Sequence, residues 1–479
     1  MTQHTCLWWE TAPRPKSYTG KPLPQRTDII VIGGGFTGAS AALQLAKHGA
    51  RVALLEAKTI GYEASSRNGG QALSCLHYTL TEIIKQHGRG LAKEMFLAAV
   101  EAANTVERIV KEENIDCDYV RCGSIEAASK PAHFEKLKRE QETLHEVVNF
   151  DSQIFSKDAV RAELGTDAYH GLLVNPREGS VQPAKFVRGM AEAAERAGAD
   201  IYEGVRVLAV ERVQGSMDGT RFKVQTEAGE IAAKDILVAA SAWAGKLIPQ
   251  FRFKVFPGES YVIATEPLSD ELAERLIPNN RVAYDTRHIL AYYRLSPEKR
   301  MVWGGELTMR GASPQMNIRA LRKGMARIFP ELANTKLDYF WSGTLALTMD
   351  ETAHAGQTPD GIWYSMAYVG HGVTLATYLG MQMANGILGK PINNPFADLN
   401  IPHRRIGTAP GLLTSENFGI VFWIRLHNLS QARGKIANCQ TAISKIPIIN
   451  SPYAVARDLS RGFRRHECRG TNELRNVSY

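Results

Sequence analysis

The chain has 479 residues, 44% of them hydrophobic and 22% charged, the makeup of a globular protein with room for two or more cores, and disordered or fibrous classes do not fit it. No stretch approaches the roughly 18 consecutive apolar residues of a membrane-spanning helix, and the six cysteines include no C-x-x-C pair of the kind that marks a disulfide frame or thiolate zinc site. The net charge of +8 sits in the tail: residues 403–479 hold 12 Lys and Arg against 4 Asp and Glu, leaving 45 of each sign in the first 402, so the body has no field to draw a polyanion.

These counts predict reduced thiols, no metal site and no nucleic-acid partner. The start, from Met1 to Glu10, lacks a basic and apolar secretory pattern, and a cytoplasmic location is expected.

In chain order, residues 28–32 form a short β-branched run, followed by glycines and then by 39–48, where Ala42, Leu43 and Ala46 fall at helical spacing. Residues 51–56 read as another buried strand, completing a βαβ unit within 30 residues. Residues 91–113 carry an approximate apolar stripe, Leu97, Val100, Thr105, Ile109 and Val110, and 131–148 show a second helical pattern; both are read as helices of an inserted region. Residues 183–197 are a helix, with Pro183 at its start and Gly198 just past its end. Residues 201–213, 221–226 and 231–240 read as a β-meander ending in a buried strand, and 253–310 as an antiparallel sheet that floors a pocket. Last, a strand over 361–369 runs through Gly370, His371 and Gly372 into a helix ending near Leu388.

Gly33, Gly35 and Gly38 stand between the first strand and its helix. There G-x-G-x-x-G permits a tight turn, backbone approach to a pyrophosphate, and close helix packing, while the helix N-terminus offers N–H groups to the phosphates. Glu56, 23 residues after Gly33, ends the second strand where a carboxylate can accept from a ribose diol, and an acid there disfavours a 2′-phosphate. The motif alone does not separate NAD from FAD. The segment 61–71, rich in Ser, Asn and Gly, offers many small donors to a flat heterocycle.

With these residues the chain resembles the D-amino-acid-oxidase-like (DAO) family of FAD-dependent oxidoreductases. The resemblance rests on 31–38, Glu56 with Ala57, 64–70, 179–183, 205–207 and 370–374, and covers residues 7–402. Trp8 with Trp9, the Ser-Arg-Asn-Gly-Gly-Gln loop, 265–268 and Gly-His-Gly-Val are most similar to its gamma-glutamylputrescine oxidoreductase branch, near glycine and sarcosine oxidases. It implies an α/β fold, a Rossmann-like FAD-binding domain of glutathione-reductase type with an inserted antiparallel-sheet substrate domain. The implied boundaries are an arm over 1–26, a discontinuous FAD domain over 27–90, 150–245 and 340–402, a cap over 91–149 and 246–339, and a basic extension over 403–479.

By the same resemblance Gly33, Gly35, Phe36, Thr37 and Gly38 would hold the pyrophosphate, Glu56 and Ala57 the ribose, and Val207 the adenine through its backbone. Ser65, Ser66, Arg67, Asn68, Gly69, Gly70 and Gln71 would line the isoalloxazine. Gly370, Gly372, Val373 and Thr374 would set a helix N-terminus against its N1/O2 edge, where reduced flavin gathers negative charge. Cys75 and His77 fit no attachment motif, so FAD is expected to be non-covalent. Arg294 is similar in position to an arginine that clamps a substrate carboxylate; Tyr261, Tyr293, His288 and Trp303 are expected in the pocket wall, and His371 near substrate or flavin. The implied reaction oxidises a primary or secondary amine to an imine, gamma-glutamylputrescine-like or small and amino-acid-like, with O2 as acceptor. A glycine- or sarcosine-type oxidase, or a non-catalytic flavin protein with a partner-recruiting tail, stand as alternatives.

Overall fold

The computed structural model describes residues 2–402, apart from 13, 15, 309–312 and 398. The basic extension, with Cys439 and Cys468, lies outside the described residues.

Strand Arg26–Ile32 is central to the first sheet because it is apolar on both faces and parallel strands flank it on both sides. The main path runs His354–Gln357, Trp363–Met366, Gly229–Val238, Arg26–Ile32, Val52–Glu56 and Asp200–Glu203, all parallel except its first pair. Successive side chains divide between two cores. Ile29, Val31 and Leu54 pack among the helices, while Ile30, Ile32 and Leu55 pack on the opposite side. The expected run over 201–213 is two strands: Asp200–Glu203 extends the parallel sheet, and Val207–Arg212 begins the meander through Phe222–Thr226 into Gly229–Val238.

The second sheet runs Leu337–Leu347, Phe256–Thr265, Met301–Thr308, Tyr292–Leu295, Val282–Asp285, Ser124–Ala127, Gly171–Asn175 and Gln153–Ser156. It is antiparallel except where Val282–Asp285 pairs with Ser124–Ala127. Strands near 125, 155 and 173, remote in sequence from 253–310, thus complete the expected antiparallel sheet.

Helix Arg89–Glu112 buries Ala92, Met95, Phe96, Ala99, Ala102, Val106 and Ile109, in the same core as Val31 and Leu54. Leu97, expected on the apolar stripe, is 43% exposed. Small alanines allow close helix approach, so they form the packed face. Among the described residues no helix is long and apolar enough to cross a membrane.

Candidate active site

The first strand ends at Gly33, whose φ of +110° and whose position against the Ala239 carbonyl, 2.5 Å from where a Cβ would stand, leave room for no other residue. At Gly38 a Cβ would fall 1.8 Å from the Gly33 oxygen, so the turn and helix Phe36–Lys47 touch backbone to backbone. No side chain caps that helix, which leaves first-turn N–H groups for a ligand; the Phe36 N–H alone is held, by Ser65 Oγ at 3.0 Å. Glu56 accepts the Gly34 N–H on one oxygen at 2.7 Å and the Lys58 N–H on the other at 2.8 Å. Each oxygen keeps a lone pair for a hydroxyl. Burial raises this carboxyl above its usual range. The Val205 N–H donates to the Glu56 carbonyl, which brings the segment carrying Val207 alongside.

Loop 65–71 is braced from three directions. Trp9 Nε1 donates to Ser66 Oγ at 2.7 Å, and Trp8 Nε1 to the Asn68 carbonyl at 2.8 Å. Arg67 donates to the carbonyls of Tyr62 and Ser342, under the Trp9 ring at 4.2 Å. Asn68 Oδ1 accepts the Gly70 N–H, and Gln71 Nε2 donates to the carbonyls of Ala283 and Tyr293. The side chains of Ser66, Arg67, Asn68 and Gln71 therefore shape the loop.

The turn before helix Gly372–Ile387 comes near the glycine turn because that helix crosses Phe36–Lys47 at Gly380, where a Cβ would stand 2.4 Å from Thr37 O and Ser40 Oγ. Tyr368 Oη bonds Thr37 Oγ1 at 2.6 Å, and Thr374 Oγ1 donates to Leu73 O at 2.8 Å. Ala367 and Val369 adopt positive φ, +62° and +46°, a strained state for a β-branched residue. His371 lies 3.5 Å from Cys75 Sγ. Burial, with His77 nearby, lowers its imidazole to about 3, so it stays neutral at working pH. Burial and the Glu178 and Glu126 carboxyls push the Cys75 thiol well up, which suppresses thiolate chemistry.

Gly33, Gly35, Gly38, Glu56, loop 65–71 and turn 370–374 are thus brought near one another by direct contacts. Others are not. Arg294, expected to clamp a carboxylate, is 3% exposed and donates to the carbonyls of Gly70 (2.7 Å), Val181 (2.8 Å) and Leu295 (3.1 Å), stacked on Trp8. It braces the loop from behind. Tyr293 and Trp303 stack at 4.6 Å in the core beneath helix Pro314–Ile328, and Tyr261, which donates to Glu259, joins them against Phe340. His288 is exposed between two strands.

The face turned to loop 65–71 carries instead a row in direct register across four strands: Glu126, Tyr284, Tyr292 and Gly304. The Tyr292 ring lies across Gly304, where a Cβ would meet it at 2.1 Å, and reaches Gly69. The parity of Tyr292 with Tyr284 was the available signal for this row.

Residues 28–385 match the DAO family, FAD dependent oxidoreductases. The chain belongs to that family. It is 33% identical over 377 residues to the gamma-glutamylputrescine oxidoreductase of Escherichia coli (strain K12), covering 78% of this chain and 87% of that protein. It is 31% identical over 382 residues to the probable oxidoreductase OrdL of Haemophilus influenzae, covering 78% and 86%. The glycine oxidase of Geobacillus kaustophilus has a similar fold, with a TM-score of 0.66 at 22% identity over 80% of this chain and 100% of that one.

This DAO-family chain is an FAD-dependent oxidoreductase. The glycine cradle that excludes any Cβ, the uncapped helix and the spare lone pairs of Glu56 suit the pyrophosphate and ribose of FAD.

Proposed function

We propose that the protein oxidises a primary or secondary alkylamine of the gamma-glutamylated diamine kind, with O2 as electron acceptor. The observation that carries this is the polar row Glu126, Tyr284 and Tyr292 facing the cofactor loop while Arg294 is committed to backbone carbonyls. A substrate held by its carboxylate needs a free cation opposite, and Arg294 is already engaged. The relative at 33% identity is named for gamma-glutamylputrescine.

In this reading Gly33, Gly35 and Gly38 hold the pyrophosphate, Glu56 the ribose, and loop 65–71 with turn 370–374 the isoalloxazine, non-covalently. Bound FAD supplies a two-electron acceptor for the carbon beside the substrate nitrogen. Tyr284 and Tyr292 form the floor that positions the amine, and neutral His371 leaves that space without a competing cation. The imine product hydrolyses to an aldehyde.

The test is an amine panel mixed anaerobically with the oxidised enzyme. Gamma-glutamylputrescine should bleach the flavin band at least tenfold faster than glycine or sarcosine. Faster bleaching by sarcosine would favour an N-substituted amino acid, and a band unchanged by every amine would remove amine oxidation.

A further inference from the structure

Three glutamates meet behind the cofactor turns, and two have structural partners. Glu178 accepts the Ser74 N–H at 2.6 Å and hydroxyls of Ser74 and Ser124; Glu140 accepts the Leu80 and Thr81 N–H groups at 2.6 and 3.2 Å, where helix Leu80–His87 starts. Glu126 differs. Among the described residues its one hydrogen bond, from Tyr284 Oη, is 3.5 Å long, and it has no ion-pair partner. Tyr284 Oη also lies 3.9 Å from Cys75 Sγ, which is 3.5 Å from His371 at the cofactor turn. These four side chains are partly buried, each keeps some accessible surface, and none belongs to the packed core.

We propose that Glu126 receives the substrate's ammonium group beside Tyr284, Cys75 and His371 and takes one proton from it, with Tyr284 orienting the carboxyl. An N–H bond breaks, an O–H bond forms on a Glu126 oxygen, and the nitrogen keeps the electron pair that oxidation of the neighbouring carbon requires; no electrons are exchanged in this step. This rests on the amine-oxidising reading above and narrows its substrate class. Around Glu126 stand Tyr284, Cys75, His371 and the carboxyls of Glu140, Glu178 and Glu82. That field favours an alkylammonium end and repels an amine carrying a carboxylate on the reacting carbon.

Burial, with Glu140 and Glu178 nearby, pushes the Glu126 carboxyl up to about 8. Taking a proton requires its carboxylate form, so kcat/KM for gamma-glutamylputrescine should rise through that ionisation and fall above about 10.4, where the free amine loses its proton. In Glu126→Gln only the neutral amine already in solution can react. The rising limb then moves toward about 10.4, with a loss of roughly 100-fold at pH 7.5, while Glu126→Asp keeps the lower limb. FAD content and visible spectrum should not change.

An independent measurement uses butylguanidinium, a permanent cation with no oxidisable amine. Its binding to oxidised wild-type holoenzyme at pH 7.5, followed by calorimetry in phosphate and in Tris, should release about 0.8 proton per flavin; Glu126→Gln should release none. Absence of binding, or binding without proton release, overturns the proposal, and this wild-type count decides it even if Glu126→Gln loses FAD. An enzyme that amines bleach, with the same pH profile in Glu126→Gln, refutes the role of Glu126 and leaves amine oxidation standing. A wild-type enzyme that no amine bleaches refutes amine oxidation itself.

Discussion

Substituting Arg294 by Met separates a substrate clamp from a structural brace. Its guanidinium makes three hydrogen bonds to backbone carbonyls and stacks on Trp8 with its centre 5.4 Å from the ring. Hydrogen bonds to a charged group contribute about 1.5 to 3 kcal/mol each, and a desolvated cation–π contact roughly 2 kcal/mol. Against these stands the desolvation of the guanidinium, several kcal/mol, which also lowers its pKa to about 10 while leaving it charged at neutral pH. Met fills much of the same volume, so the net loss is about 3 kcal/mol. It falls on the junction of Gly70 with Val181, whose N–H also donates to the Gly70 carbonyl. Arg294→Met should therefore release FAD at lower urea and bind it about 100-fold more weakly, with KM for the amine within about threefold of wild type once FAD saturates. The assays are urea titration followed by flavin fluorescence, and steady-state kinetics in excess FAD. A clamp gives the opposite pattern: losing a bidentate pair costs on the order of 2 to 5 kcal/mol, or 30-fold to several thousand-fold in kcat/KM. That loss with unchanged FAD affinity would refute the brace.

Gly35→Val should abolish FAD retention, because a Cβ there already stands 2.8 Å from Ser65 Oγ and the larger side chain fills the approach to the pyrophosphate; a fully loaded variant would remove the dinucleotide site. Glu56→Gln should weaken FAD binding with little change in turnover at saturating FAD, measured by titrating the apoenzyme. Acid precipitation should leave the flavin in the supernatant, since loop 65–71 offers no attachment residue and the Cys75 thiol is held protonated; a yellow pellet would contradict this.

The strand, glycine turn and helix were legible in the sequence because they are local: a buried strand, glycines at fixed spacing and a helix specify them within 30 residues. The proposed substrate floor was not. Alternation along 292–295 and 301–305 shows that neighbours face opposite ways, but which parity faces the cofactor is decided by tertiary packing. Tyr293 and Trp303 go into the core under helix Pro314–Ile328. Tyr292 and Gly304 take the other face, one residue away in each case. Arg294 is a related case. An arginine in an apolar strand reads as a ligand site, and only the approach of Gly70 and Val181, more than 100 residues earlier, shows where its protons go. Glu126 sits in a four-residue strand too short to carry any pattern.

Loop 65–71 ties these findings together, since it is held by the Trp8–Trp9 arm, by Arg294 and by the backbone of the second sheet through Gln71. The sheet strands that Gln71 grips are those that present Tyr284 and Tyr292. The proposed cofactor and substrate surfaces therefore share one support, and a change that loosens it moves both. FAD stabilises the folded chain by RT ln(1 + [FAD]/Kd), about 2.7 kcal/mol at a hundred times Kd. A variant of Trp8 or Arg294 that raises Kd 100-fold thus loses most of that increment at fixed FAD in addition to its own contacts. Excess FAD restores the first part and leaves the second, so the FAD dependence of the unfolding midpoint separates a weakened cofactor site from a weakened fold.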